Sequence, residues 1–84
     1  MSKPLPPFTN LANSFRIGEY QHYKGNRYRV LAIAWNSTTD ALVEMVVYQG
    51  LYEGNPVFVQ PLKDFVIDVE VAGEKQPRFK FLGL

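Results

Sequence analysis

Cysteine is absent from this 84-residue sequence and histidine occurs once, at His22. No disulfide can staple the fold, and no Cys/His zinc site can be assembled. Neither a metal nor a cofactor is expected. Long apolar runs are missing as well. The opening stretch, Met1-Ser-Lys-Pro-Leu-Pro-Pro-Phe-Thr-Asn10, has neither the unbroken apolar centre of a secretory leader nor the length to cross a bilayer. A cytoplasmic protein with no membrane partner is the expectation, and the lack of cysteine is compatible with a reducing compartment. Net charge is only +1, too little for a long-range field to mark a nucleic-acid binder. Residues 1–36 nevertheless hold five bases against one acid, and residues 37–84 four against seven. Local neutralisation of one half by the other accounts for this in so small a domain, and a basic stripe is the alternative.

Aromatic residues are plentiful. A chain of this length buries only about 60% of its unfolded surface, so its core has to be dense. Six Phe, five Tyr and Trp35 can supply it, because aromatic rings carry the largest buried area per residue.

Pro4, Pro6 and Pro7 fix φ and remove backbone donors, so residues 1–14 read as an extended arm, with ordered structure beginning near Phe15. The Pro4-x-x-Pro7 spacing lacks the flanking basic residue of a polyproline ligand and reads as a plain tail. From there the period is two, not 3.6. Ile17–Tyr23 is a first strand, Lys24-Gly-Asn-Arg27 a hairpin turn and Tyr28–Trp35 a second strand. The run Val30-Leu-Ala-Ile-Ala-Trp35 is apolar on both faces and belongs at the centre of a sheet, covered on each side. Asn36–Asp40 is a turn, Leu42–Tyr48 a third strand, Glu53–Pro56 a turn, Val57–Val59 a fourth strand and Pro61–Phe65 one helical turn. Phe65–Val71 alternates and reads as a strand, Ala72–Pro77 breaks it, and Arg78–Leu82 closes the sheet with Phe79 and Phe81 inward. The fold class is all-β: five or six short antiparallel strands and one helical turn in a strongly bent, fully or partly closed barrel over residues 15–84.

The segment Gly18-x-Tyr20-x-His22-Tyr23-Lys24-Gly25-Asn26-x-Tyr28-x-Val30 resembles the bacterial domain-of-unknown-function family 1653. The later Val47-Tyr48-Gln49, Leu51-Tyr52, Pro61, Phe65 and Arg78-Phe79 extend the resemblance over roughly residues 17–82. It implies a small SH3-like barrel whose biochemical role is unassigned. Gln60 stands where the family often has Arg, and Asn36-Ser-Thr-Thr39 where it often has His-Ser-Glu-Thr. Both differences bear on ligand binding if those positions hold a ligand.

No catalytic or nucleotide motif accompanies this pattern. Gly18, Gly25 and Gly54 lack the spacing and context of a phosphate loop. Tyr20, Tyr23, Tyr28, Trp35, Tyr48 and Tyr52 offer rings for an aromatic groove of the type SH3-like barrels use for peptides or single-stranded nucleic acid. Alternation places Tyr20 and His22 on one face and Tyr23 on the other. Lys24, Arg27 and Arg29 add positive charge, and Arg78 suits a structural pairing with Glu19 or Asp68. The leading expectation is a non-enzymatic module that binds a macromolecule, peptide, protein or single-stranded nucleic acid, through Tyr20, His22, Lys24, Arg27, Tyr28 and Tyr48. One alternative is a small hydrolase in which His22 is the base, with Ser37, Thr38 or Thr39 as nucleophile and Asp40 as orienting acid. The other is a homo-oligomeric or accessory structural subunit whose aromatic face is buried against a partner.

Overall fold

The computed structural model describes residues 6–38 and 42–84. Pro4 of the expected arm and Thr39 and Asp40 of the expected turn lie outside them. In chain order the elements are α1 (Asn10–Ser14), β1 (Glu19–His22), β2 (Arg27–Asn36), β3 (Val43–Gly50), β4 (Val57–Pro61), α2 (Leu62–Phe65), β5 (Asp68–Val71), β6 (Glu74–Pro77) and β7 (Phe79–Gly83). Five strands form one antiparallel sheet in the order β4-β3-β2-β1-β7, and β5 and β6 form a separate ribbon.

The apolar β2 is the central strand of the larger sheet, as its composition demands. Ladder irregularities at Glu19/Tyr20 and between Val30 and Ala32 bend the β1–β7 and β2–β3 pairs. The sheet curls without closing among the described residues, leaving β4 and β7 as edges. No helix among these residues is long and apolar enough to cross a membrane.

One face of the sheet carries the core. Residues directly opposite in a ladder share a face, and Tyr20 lies opposite both Tyr28 and Phe81, His22 opposite Phe79, Tyr28 opposite Gly50, and Tyr48 opposite Phe58. This inner face is therefore almost wholly aromatic at one end. Past the β2 irregularity it continues through Ile33, which lies opposite Val46, and Trp35, which lies opposite Glu44. The two short helices cover its middle. Ala12, Leu62 and Phe65 join Tyr20, Val30, Val46 and Phe79 in one buried cluster, and the rings of Phe65 and Phe79 stack with centroids 4.1 Å apart.

Three local expectations change. First, part of the stretch read as an extended arm folds back as α1. The Thr9 side chain caps it by accepting from the Ala12 N–H, and also donates to Glu44 Oε1 on β3 at 2.6 Å. Phe8 stacks on Trp35 at 4.9 Å. Second, Phe65 does not begin a strand but ends α2, where its ring is buried. Third, the expected break at 72–77 contains β6, which pairs with β5 through a tight turn in which Ala72 adopts a φ of 53°. The ribbon carries no core residue, and Ile67 and Val71 are exposed rather than inward. The outer face of β2 is also uncovered at Leu31 and Ala32.

Candidate functional site

Helices α1 and α2 leave one end of the inner face partly open. At that end His22 (β1), Tyr28 (β2), Tyr48 (β3), Phe58 (β4) and Phe79 (β7) converge with Tyr52 from the β3–β4 loop. The Tyr28 ring sits 5.5 Å from Tyr48, 5.8 Å from Tyr52, 6.2 Å from Phe58 and 5.6 Å from Phe79, each edge to face. Edge-to-face packing satisfies the ring quadrupoles, and of these rings Phe58 is exposed and Tyr52 half-buried. Gly50 makes room for this. A Cβ there would lie 2.5 Å from the Tyr52 ring, so the absence of a side chain opposite Tyr28 lets Tyr52 fold over the strand.

A polar chain runs beneath the rings. Gln60 Nε2 donates to the Tyr48 hydroxyl at 3.0 Å, and Arg78 donates to Gln60 Oε1 at 3.2 Å and to the Asp64 carbonyl at 3.0 Å. The guanidinium is half-buried and meets only neutral acceptors. The one ion pair among the described residues is Arg29 with Glu19, at 2.6 Å. Arg78 is thus not paired with Glu19 or Asp68, as the sequence had implied, because the Arg29–Glu19 cross-strand pair occupies the acid on the opposite face of the sheet.

The positive charge acts on its neighbours. Burial first, then Arg78 and Lys24, hold the His22 imidazole below its ordinary pKa. Its Nδ1 accepts from the Lys24 N–H at 3.1 Å, which leaves the proton on Nε2 in the neutral ring. The Tyr48 phenol is raised by burial, with Arg78 opposing. Tyr52 is raised chiefly by the pairing of its phenol with the Tyr28 hydroxyl.

Of the six residues expected to form the site, the structure brings together His22, Tyr28 and Tyr48, with Lys24 on the adjoining turn. Tyr20 belongs to the core: it is 6% exposed, packs against Phe15, Phe65 and Phe81, and donates its hydroxyl to the Arg16 carbonyl. Arg27 flanks Tyr28 in β2 and so points to the outer face. Tyr23 was expected to point away from His22, yet its ring leans on the imidazole at 4.6 Å, because β1 has ended and alternation no longer applies. Trp35 lies at the far end under Phe8. Phe58 and the Gln60–Arg78 link were not singled out as ligand-binding. The large aromatic ring between two β-branched residues in Val57-Phe58-Val59 was the available signal for the first.

Geometry bears on the hydrolase alternative too. His22 precedes the start of β2, whereas Ser37 and Thr38 follow its end. Ten extended residues span about 30 Å, so these hydroxyls do not meet the imidazole. Among the described residues no three metal-ligating side chains converge.

Comparison with known proteins fits this architecture. The family described as "Protein of unknown function (DUF1653)" matches residues 18–81. The chain belongs to the DUF1653 family. A crystal structure of a DUF1653 protein from Bordetella bronchiseptica is 36% identical, with a TM-score of 0.77 over 86% of this chain and 92% of that one. No curated protein matches. The DUF1653 match takes in every residue at the open aromatic end and leaves out α1. Of the two departures from the family pattern, Gln60 lies inside the site as the bridge between Tyr48 and Arg78. Asn36 lies at the opposite end of β2, where its side chain accepts from the N–H and hydroxyl of Thr38.

Proposed function

We propose that the protein is a non-catalytic binding module that takes a macromolecular ligand on the open end of its inner face. His22, Tyr28, Tyr48, Tyr52 and Phe58 supply the apolar surface, Arg78 the anchoring charge, and Lys24 the rim. The observation that carries this reading is the half-buried Arg78 guanidinium, held in place by Gln60 and the Asp64 carbonyl but facing no carboxylate among the described residues. Holding a cation among rings without neutralising it costs solvation energy, which an incoming anionic group returns. Among the described residues, the Ser37 and Thr38 hydroxyls lie at the far end of β2 from the imidazole, and this favours binding over hydrolysis. A bacterial, cytoplasmic setting is part of the proposal, supported by the bacterial relative and the lack of cysteine.

The test uses wild type, Arg78→Met and Tyr52→Ala as affinity baits in native extract, with captured protein and nucleic acid identified by mass spectrometry and sequencing. A ligand retained by wild type and lost from both variants, at matched thermal stability, is the expected result. Identical captures by all three baits would remove the open aromatic end from the account.

A further inference from the structure

We infer that the free edge of β4 receives an extended acidic peptide, which joins the sheet as an additional strand and sets a carboxylate against Arg78. The inference rests on the binding reading above and narrows its ligand to a peptide.

Among the described residues β4 pairs with β3 alone. The ladder register fixes which of its backbone groups are free. The Gly50 N–H donates to the Pro56 carbonyl at 2.8 Å, and hydrogen-bonded pairs recur every second residue of an antiparallel ladder. Phe58, opposite Tyr48, and Gln60, opposite Val46, are therefore the residues whose N–H and C=O turn toward β3. Val57 and Val59 direct theirs outward. A row of outward amide donors and carbonyl acceptors is matched by another β-strand. Single-stranded nucleic acid has no such ladder.

This edge also lacks protecting charges. Natural edge strands carry charges, above all lysine, to repel strand addition. No charged residue occurs from Gly54 to Leu62, and Val57 and Val59 are 58% and 59% exposed. Pro56 and Pro61 bound the pairing segment, which limits an added strand to the stretch between them.

Register then connects the edge to the site. A side chain placed opposite Phe58 or Gln60 falls on the inner face, beside the Gln60–Arg78 link, while its neighbours fall on the outer face over Val57 and Val59. Alternating apolar and acidic residues suit the two faces. A second copy of this chain, pairing through its own β4, would bring no acid to Arg78, since that segment is uncharged.

The probe is an end-blocked, fluorescently labelled heptapeptide of alternating valine and glutamate. Its controls are the same peptide N-methylated at alternate amides, the valine–lysine counterpart, and labelled oligothymidylate. Wild type should raise the anisotropy of the valine–glutamate peptide, and amide exchange at Val57 and Val59 should slow by about tenfold or more on binding. N-methylation, lysine in place of glutamate, or Val59→Pro in the protein should each weaken binding by about tenfold, the loss of one or two good polar contacts. Should Val59→Pro fail to fold, the N-methylated peptide makes the same test on the wild-type protein. Equal binding of the N-methylated peptide would overturn strand addition while leaving the aromatic end as a binding surface. Preference for oligothymidylate would overturn the peptide in favour of nucleic acid. Protection of Val57 and Val59 that grows with protein concentration in the absence of peptide would give the edge to a second copy. No binding of any probe would overturn the inference, and the extract experiment would then judge the binding reading by itself.

Discussion

Arg78 and His22 form a coupled pair of side chains with separable readouts. The guanidinium helps to keep the imidazole neutral, so Arg78→Met should move the His22 titration midpoint back up toward its ordinary value of 6.5, as read from its ring proton shifts by NMR. Stability follows the same shift. An imidazole held below its ordinary pKa in the fold is protonated first in the unfolded chain, so stability increases with pH across that interval. The His22 contribution is complete above about 6.5 and declines as the pH falls from there toward the lowered value. Thermal melts of His22→Gln should therefore vary less between neutral and mildly acidic pH than those of wild type. An equal slope in both proteins would place the pH dependence elsewhere. Gly18 is a residue of a different kind. Its φ is +152°, and a Cβ there would lie 2.3 Å from the Gly83 carbonyl oxygen, a backbone atom that cannot swing aside. Gly18→Ala should cost about 1–3 kcal/mol by prising β7 from β1, measured by chemical denaturation.

Among the elements, α1 is held by side chains more than by its own five residues, since so short a helix is unstable alone. Thr9→Ala removes the cap on Ala12 and the hydroxyl's bond to Glu44, leaving the bond from the residue 9 N–H to Glu44, and should cost about 1–2 kcal/mol. A loss near zero would mean that Phe8 on Trp35 and Ala12 in the core suffice. The same physics explains why α1 was not legible in the sequence: five residues carry no period, and the cap and Glu44 are 35 positions apart. Strands β2 to β4 were legible as short runs of β-branched, aromatic and other apolar residues bounded by turn formers, and β7 through the two-residue period of Arg78-Phe-Lys-Phe81. The ribbon of β5 and β6 misled through the same period. Ile67, Val69 and Val71 alternate as though one face were buried, yet Ile67 and Val71 are exposed, and the turn rests on Ala72 at positive φ, a residue with no turn preference. Ala72→Asn should accordingly stabilise the protein by about 0.5–1 kcal/mol, seen as a higher melting temperature.

At the scale of the whole molecule, a single curved sheet serves two ends with one face. Helices α1 and α2 seal the middle, where Tyr20 and Phe65 pack, with buried Phe79 joining it to the open end, and leave the rings around Tyr28 beside the unneutralised Arg78. Alternation told which tyrosines share a face with His22 but not which part of that face the helices cover, and so Tyr20 looked like a groove residue. Gln60 and Arg78 stand 18 positions apart, and the bridge between them depends on β4 and the start of β7 meeting across α2, which no local pattern records. The central claim is that the open end of the inner face, and not the sealed middle, is where this protein meets its ligand. The five tyrosines are reporters for it: 3-fluorotyrosine incorporated at all of them can be followed by fluorine NMR while the valine–glutamate peptide is added. The account predicts that the Tyr28, Tyr48 and Tyr52 resonances shift on binding and Tyr20 stays in place; binding that leaves those three unmoved would contradict it.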